Sequence, residues 1–353
     1  MDFMSAREAA DKWGISQRRV AVLCSENRIS NAVMLGNMWV IPVTAKKPVD
    51  ARSIRYTKND ERKIKPFIKW AGGKSQLLND IRAKYPEKIE KYCEPFVGGG
   101  AILLDVLVSN QPKEVLINDI NAELVNTYSQ IKNSVDDLIE MLSEMQESFW
   151  KKNEIDRKVM YLSNRERFND LKVNGDGQIN LEKAALFIFL NKTCFNGLYR
   201  VNRKGLFNVP MGAYKNPPIC DAENLRLISG LLKNVQIKCG DYSECADFID
   251  ENTFVYIDPP YRPITETASF TSYSENEFGD KQQVELCKFV DRISTKGAKI
   301  VVSNSDPKNS DENDSFFDDL YSNYTIMRVS AKRMINSKST GRGNINELLI
   351  CNY

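Results

Sequence analysis

The sequence predicts an α/β fold with a mostly parallel central sheet. Three observations carry this prediction. Short Val/Ile-rich runs recur at 115–119, 253–257 and 298–304, with the length and composition of buried strands. Helical apolar patterns lie between them, at 121–132, 138–149, 182–190 and 281–293. A glycine triplet, Gly98-Gly99-Gly100, stands just before an apolar helix at 102–107. Strands alternating with helices build a parallel sheet, and a glycine-rich turn at its carboxyl edge lets the backbone approach a ligand closely.

In chain order, residues 1–45 form a separate small module. Ser5-Ala6-Arg7-Glu8 is a capping box that starts a helix running to about Trp13 and stopping at Gly14. Ser16 caps a second helix from Gln17 to about Ser25, with Val20 and Leu23 inward and Arg18 and Arg19 outward. Residues 32–42 read as a hairpin with a Gly36-Asn37 turn. Helix, turn, helix and wing resemble the winged helix-turn-helix units of excisionases and related regulators, although the same shape serves protein-interaction modules. Residues 46–65 are a basic, solvated linker able to touch DNA phosphates. Residues 1–65 hold thirteen Lys and Arg against seven Asp and Glu, so the net charge of +2 hides a basic N-terminal part on a slightly acidic body. The mostly helical span 133–235 interrupts the strand–helix alternation and reads as an insertion.

Composition excludes several chemistries. There is no histidine, so a Ser-His-Asp triad, a Cys-His dyad and the histidine zinc sites are ruled out. The eight cysteines are scattered without a C-x-x-C pair, as reduced thiols are, and no metal is expected. No stretch approaches the ~20 apolar residues of a membrane span, and Met1-Asp2-Phe3-Met4-Ser5 is no signal peptide.

The most informative residues are Asp258-Pro259-Pro260-Tyr261, directly after the strand 253–257. The prolines stop the strand and stiffen the turn. A carboxylate and a peptide carbonyl can together accept both hydrogens of an exocyclic amine, and a ring beside them can stack on a base. Asp119 lies 21 positions after Gly98, at the end of the next strand, where an acidic residue binds ribose hydroxyls. The dinucleotide fingerprint fails because Leu103 stands where its third glycine belongs. The P-loop fails because Ile68 stands where its first glycine belongs, although Gly73-Lys74-Ser75 matches its end. S-adenosylmethionine is the nucleoside cofactor that remains. Trp70 suits an apolar wall, and Lys74 suits a carboxylate partner such as that of the donor's methionine part.

These stretches together resemble a Dam-type DNA adenine methyltransferase of the GATC-specific group. The resemblance rests on PFIKWAGGKSQLL, EPFVGGGA, VLINDINAEL, LNKTCFNGLYRVNRKGLFNVPMGAYKNP, VYIDPPY with TASFTSY, IVVSNSD and NELLICNY, in the family's order and across about four-fifths of the chain. It implies a Rossmann-like S-adenosylmethionine-dependent methyltransferase sheet in 66–132 and 236–353. It also implies an inserted, mostly helical target-recognition domain in 133–235, beside the added N-terminal winged helix-turn-helix.

By the same resemblance Trp70, Lys74, Phe96, Gly98, Asp119, Asp241, Tyr242 and Asp258 bind the donor. Asp258, Pro259 and Tyr261 act on a flipped adenine. Arg200 reads guanine, while Leu198 and Pro210 touch thymine methyls from a hairpin at 195–210 turning at Arg203–Gly205. Arg18 and Arg19 are the DNA contacts expected of the small module. The loop 265–273 is a candidate cover for the flipped base, and the basic turn 338–343 a candidate phosphate contact. The expected partner is double-stranded DNA, with a cognate restriction endonuclease on the same site a further candidate. The protein is expected to be a cytoplasmic monomer of a bacterium or phage. Two alternatives stay open at this point: methylation of cytosine's exocyclic amine, and a DNA-binding regulator with a non-catalytic body.

Overall fold

The computed structural model describes residues 3–13, 16–25, 29, 32–36, 38–45, 64–175, 177–262, 278–332 and 344–353, with backbone alone at 331, 332 and 344. Most of the basic linker, the loop 265–273 and the turn 338–343 lie outside the described residues. The chain forms two compact units, Met1–Arg55 and Tyr56–Tyr353.

The small unit runs β1 (Phe3–Ser5), α1 (Ala6–Trp13), α2 (Gln17–Ser25), β2 (Val33–Leu35) and β3 (Met38–Pro42). The capping box is present: Glu8 N donates to Ser5 Oγ at 3.3 Å, and Ser5 N donates to Glu8 Oε2 at 2.7 Å. Ser16 Oγ accepts from Arg19 N at 3.1 Å and starts α2. Gly36 takes φ +61° at the β2–β3 turn, a conformation that favours glycine; Asn37 lies outside the described residues. Two details differ from expectation. Residues 3–5 form a third strand, giving the sheet order β1-β3-β2. Three residues are too few for a period-2 pattern, but Met4 enters the core with Ala9, Val20, Leu23 and Ile41. Arg18 is exposed as expected, whereas Arg19 is half-buried.

The large unit runs α3 (Leu78–Arg82), β4 (Lys91–Glu94), α4 (Ala101–Ser109), β5 (Glu114–Asp119), α5 (Ala122–Asn133), α6 (Val135–Lys151), α7 (Glu154–Val173), α8 (Leu181–Thr193) and α9 (Ala222–Leu231). It continues with β6 (Val235–Cys239), β7 (Thr253–Ile257), α10 (Asp280–Ser294), β8 (Lys299–Ser305), α11 (Phe316–Leu320), β9 (Thr325–Lys332) and β10 (Asn344–Cys351). Asn121 and Asn180 cap α5 and α8, accepting from Leu124 N at 2.9 Å and Lys183 N at 2.8 Å.

The seven strands order as β6-β5-β4-β7-β8-β10-β9. The first five are parallel, and β10 runs antiparallel to both β8 and β9. Both faces of the sheet are covered, and the pleat sorts the side chains between two cores. Tyr92, Val115, Ile117, Phe254, Tyr256, Val301 and Leu349 enter one core. Cys93, Leu116, Val255, Ile257, Ile300, Val302 and Leu348 enter the other. The helices of the span 133–235 contribute Phe149, Tyr161, Phe168 and Phe189 to the first of these cores.

The segment 195–210 is less regular than the expected two-stranded ribbon. Phe195–Gly197 is a 3-10 turn with Asn196 at φ +57°, and a bridge pairs Val201 with Phe207 further along. The Asn-Gly pair interrupts the pairing, which begins at a Cys194–Met211 bridge with Phe195 N donating to Pro210 O at 2.9 Å. From Arg200 the hairpin holds: Asn208 N donates to Arg200 O at 3.1 Å, and the turn falls at Arg203–Gly205 with Gly205 at φ +70°. Helix α7 supports it from behind. Tyr161 Oη donates to Val209 O at 2.7 Å, and the Asn169 side chain binds both backbone groups of Phe207, at 2.8 and 3.1 Å.

Candidate active site

Strands β4 and β7 lie side by side, yet the chain leaves β4 toward β5 and β6 and later returns through β7 toward β8. Strand order reverses there, and in open α/β sheets ligands bind outside the carboxyl ends of the strands at such a point. The glycine turn follows β4, and Asp258-Pro259-Pro260-Tyr261 follows β7.

The glycine turn is shaped by its neighbours. Gly98 has φ +47°, and a Cβ there would stand 2.8 Å from Trp70 Cδ1. Gly100 has φ +73°, and a Cβ there would stand 2.3 Å from the Tyr128 hydroxyl. Asp119, at the end of β5, fastens the turn: Oδ2 accepts from Gly98 N at 3.0 Å and Oδ1 from Asn121 N at 2.9 Å. Burial raises the Asp119 pKa above the ordinary aspartate value, and these backbone N–H groups oppose the rise. Next to it Phe96 and Tyr242 stack with centroids 5.3 Å apart, and Phe278 and Phe289 meet the pair edge-on. Asp241 is exposed, and its carboxylate accepts from Ser243 N at 2.9 Å to hold the turn that presents Tyr242.

Across the crevice, Lys74 is buried with its side chain 3% exposed. Its ammonium lies 2.7 Å from Asp258 Oδ1, 2.6 Å from the Tyr261 hydroxyl and 2.8 Å from Gly72 O. Three N–H groups thus meet three protein acceptors. Lys74 does take a carboxylate partner, but the carboxylate is that of Asp258. Ser303 Oγ also donates to Asp258 Oδ1, at 3.0 Å, and the Tyr256 hydroxyl lies 3.0 Å from Ser303 Oγ. Both described donors to Asp258 therefore use one oxygen, Oδ1. Burial raises the Asp258 pKa, with Lys74 and Ser303 pulling it down. Gln283 donates to Pro260 O at 3.1 Å and steadies the turn one residue beyond the carbonyl of Pro259.

Trp70 joins this site to the hairpin. It packs on Gly98 and stacks on Tyr199, with centroids 5.7 Å apart. On the outer side Arg200 and Pro210 are exposed and Leu198 is half-buried; Arg200 Nε donates to Asn208 Oδ1 at 2.9 Å. The structure thus brings Trp70, Lys74, Gly98, Asp119 and Asp258–Tyr261 to one sheet edge and carries Leu198, Arg200 and Pro210 on one hairpin.

Four participants were missed in the sequence. Ser303 and Glu347 hold the Asp258 side of the crevice. Asn118 Nδ2 ties the glycine turn to the Tyr242 turn, donating to Pro95 O at 3.1 Å and Gly240 O at 3.0 Å. Asn191 clasps Lys69 and Gly197 by three bonds of 2.8–2.9 Å. All four sit inside the matching stretches, and the available signal was a polar side chain within an otherwise apolar run.

The family model for D12 class N6 adenine-specific DNA methyltransferase matches residues 70–335. The chain belongs to this family of adenine-specific DNA methyltransferases. Among similar proteins is the Type II methyltransferase M.MjaIII of Methanocaldococcus jannaschii, 48% identical over 82% of this chain and 99% of its own length. The DNA adenine methylase of Haemophilus influenzae is 34% identical over 81% of this chain and 93% of its own. The DNA N-6-adenine-methyltransferase of Escherichia phage P1 is 31% identical over 95% of this chain and 43% of its own.

The methyltransferase acts on adenine in DNA, which sets aside both the cytosine and the non-catalytic alternatives. Membership implies S-adenosylmethionine as methyl donor. Among the described residues no cluster of three or more metal-ligating side chains occurs, and no helix is long and apolar enough to cross a membrane.

Gly98→Ala tests the turn. A methyl group forced against Trp70 at positive φ is expected to cost about 1–3 kcal/mol in backbone strain alone, before Trp70 moves. Thermal denaturation and donor binding by calorimetry should both weaken; wild-type values in both would contradict this account.

Proposed function

We propose that the enzyme transfers a methyl group from S-adenosylmethionine to the exocyclic amine of an adenine flipped out of duplex DNA, within the sequence GATC. The observation that carries this reading is the Asp258 carboxylate at the strand switch point, with Oδ1 occupied by Lys74 and Ser303. Bound S-adenosylmethionine supplies an electrophilic methyl on its sulfonium. Trp70, Lys74, Phe96, Gly98, Asp119, Asp241, Tyr242 and Asp258 hold the donor, with the Phe96–Tyr242 pair on its adenine and Asp119 on its ribose. Asp258 Oδ2 and the Pro259 carbonyl accept the two amine hydrogens of the target, and the Tyr261 ring stacks on the base. These bonds draw the nitrogen lone pair out of conjugation and aim it at the methyl. Flipping is required because the amine cannot be reached within the base stack. Orientation supplies up to about 7–11 kcal/mol of the rate acceleration. The methylated amine is acidic enough to lose its proton without an imidazole base.

On DNA, the hairpin enters the major groove, where Arg200 pairs bidentately with guanine and Leu198 and Pro210 meet thymine methyls. In this reading 133–235 is the recognition domain, inserted between the catalytic segments 66–132 and 236–353. Residues 1–45 are a winged helix-turn-helix that adds affinity through Arg18 and Arg19, and 46–65 is the basic linker. The enzyme works as a cytoplasmic monomer, and the Type II name of the archaeal relative makes an endonuclease of the same specificity the partner to seek.

The test is expression in a host lacking adenine methylation, followed by genome-wide mapping of modified bases. Methyladenine in GATC is expected; a different motif would refute the specificity. Arg200→Ala should lose ~1–3 kcal/mol of discrimination at the guanine and so methylate sites altered at that position. The paired change of Arg18 and Arg19 to Ala should weaken binding to all sequences alike and leave the motif unchanged.

A further inference from the structure

We propose that Glu347 is a positioning residue for methyl transfer, setting the Asp258 carboxylate and the Tyr261 ring through Lys74 and Tyr261. The inference rests on the role of Asp258 given above.

Glu347 is the one charged residue in the run Glu347-Leu348-Leu349-Ile350-Cys351 of β10, whose other members are buried. Its side chain is 14% exposed. A carboxylate so placed is costly unless it is paired and hydrogen-bonded. Its Oε2 accepts from the Tyr261 hydroxyl at 2.7 Å and lies 3.8 Å from Lys74 Nζ. The same hydroxyl accepts from Lys74. Tyr261 is thereby fixed at its far end, with its ring under the ammonium at 4.8 Å. The position comes from topology: β10 pairs with β8, Glu347 stands opposite Ser305, and β8 carries Ser303 to Asp258.

Charge supplies the second half of the argument. Asp258 and Glu347 share one ammonium, so the group of three carries a net negative charge when both carboxyls are ionised, complementary to a sulfonium. A lysine engaged by Glu347 neutralises Asp258 less completely. Asp258 then stays the stronger acceptor for the amine hydrogen. The other titratable groups near this pair are Tyr261 beside it, Tyr256 on β7 and Glu94 at the end of β4. Burial raises both carboxyl pKa values, and Lys74 opposes the rise in each.

The experiment measures single-turnover methyl transfer to a duplex oligonucleotide at saturating donor and DNA, as a function of pH, with the full-length chain. Glu347→Gln keeps an acceptor for Tyr261 but removes the charge. Its plateau rate is expected to fall about tenfold, equivalent to about 1.4 kcal/mol of barrier, with the acid limb displaced to lower pH. Glu347→Ala should fall further, and the Gln variant should recover part of the difference.

An unchanged plateau and acid limb in the Gln variant would overturn the proposal. So would a lower plateau with an unmoved acid limb, because that marks a structural role. If Glu347→Ala does not fold, the Gln profile decides alone. Asp258→Asn separates the two levels: wild-type activity there would remove the reading of the site itself. An inactive Asp258→Asn beside a wild-type Glu347→Gln would remove only the role of Glu347.

Discussion

Asp258→Ala is expected to lower the single-turnover rate by on the order of 10²–10⁴-fold while donor and DNA still bind. The carboxylate is the group at the strand switch point whose orientation is fixed by two donors to one oxygen, Lys74 at 2.7 Å and Ser303 at 3.0 Å. Alanine removes the acceptor for the amine hydrogen and frees the ammonium toward Glu347, 3.8 Å away. Stability should therefore change less than activity. Rapid-quench transfer of a labelled methyl group, with both ligands saturating, measures the effect. A rate within a few-fold of wild type would exclude the proposed chemistry.

Lys74→Met should have the largest effect on stability, about 3–5 kcal/mol, because removing one partner of a buried pair leaves uncompensated charge. Here two carboxylates would be left, Asp258 and Glu347, in a crevice that already raises the pKa of each. The sign follows from proton linkage. In the folded protein these groups hold protons more tightly than in the unfolded chain. Stability from them is therefore greatest at low pH, declines as pH rises from about 4 in the unfolded chain through the raised folded values, and is level above. Activity runs the other way, since Asp258 must be ionised to accept. Losing the ammonium carries that window further upward. Denaturant unfolding across pH should show Lys74→Met recovering stability on acidification more steeply than wild type. A parallel pair of stability profiles would refute the shared ion pair.

Much of the site could be read from the chain because it lies in short contiguous runs. The strand 253–257 coincides with β7, and its prolines place Asp258 at the rim. The spacing from Gly98 to Asp119 translates into a hydrogen bond between them, because β4 and β5 are parallel neighbours. Tertiary partnership was hidden. Glu347 meets Tyr261 across 86 residues and Ser303 meets Asp258 across 45, distances over which no periodicity reports. The partner of Lys74 was hidden for the same reason: a lysine's charge is visible in sequence, but the carboxylate it reaches depends on how strands order in the sheet. Strand β4 escaped notice because Lys91 and Glu94 bracket only two apolar residues. The 195–197 bend was obscured by reading Asn196-Gly197 as part of a strand, when positive φ at both residues makes it a turn.

Strand β10 threads between β8 and β9 and delivers Glu347 to Lys74, a residue that precedes the first strand of the same sheet. A ribosome extruding this polypeptide would have released the glycine turn, Asp258 and the hairpin well before that strand. The nascent chain would still lack the final wall of its own crevice. The crevice is thus complete only once β10 has paired between β8 and β9.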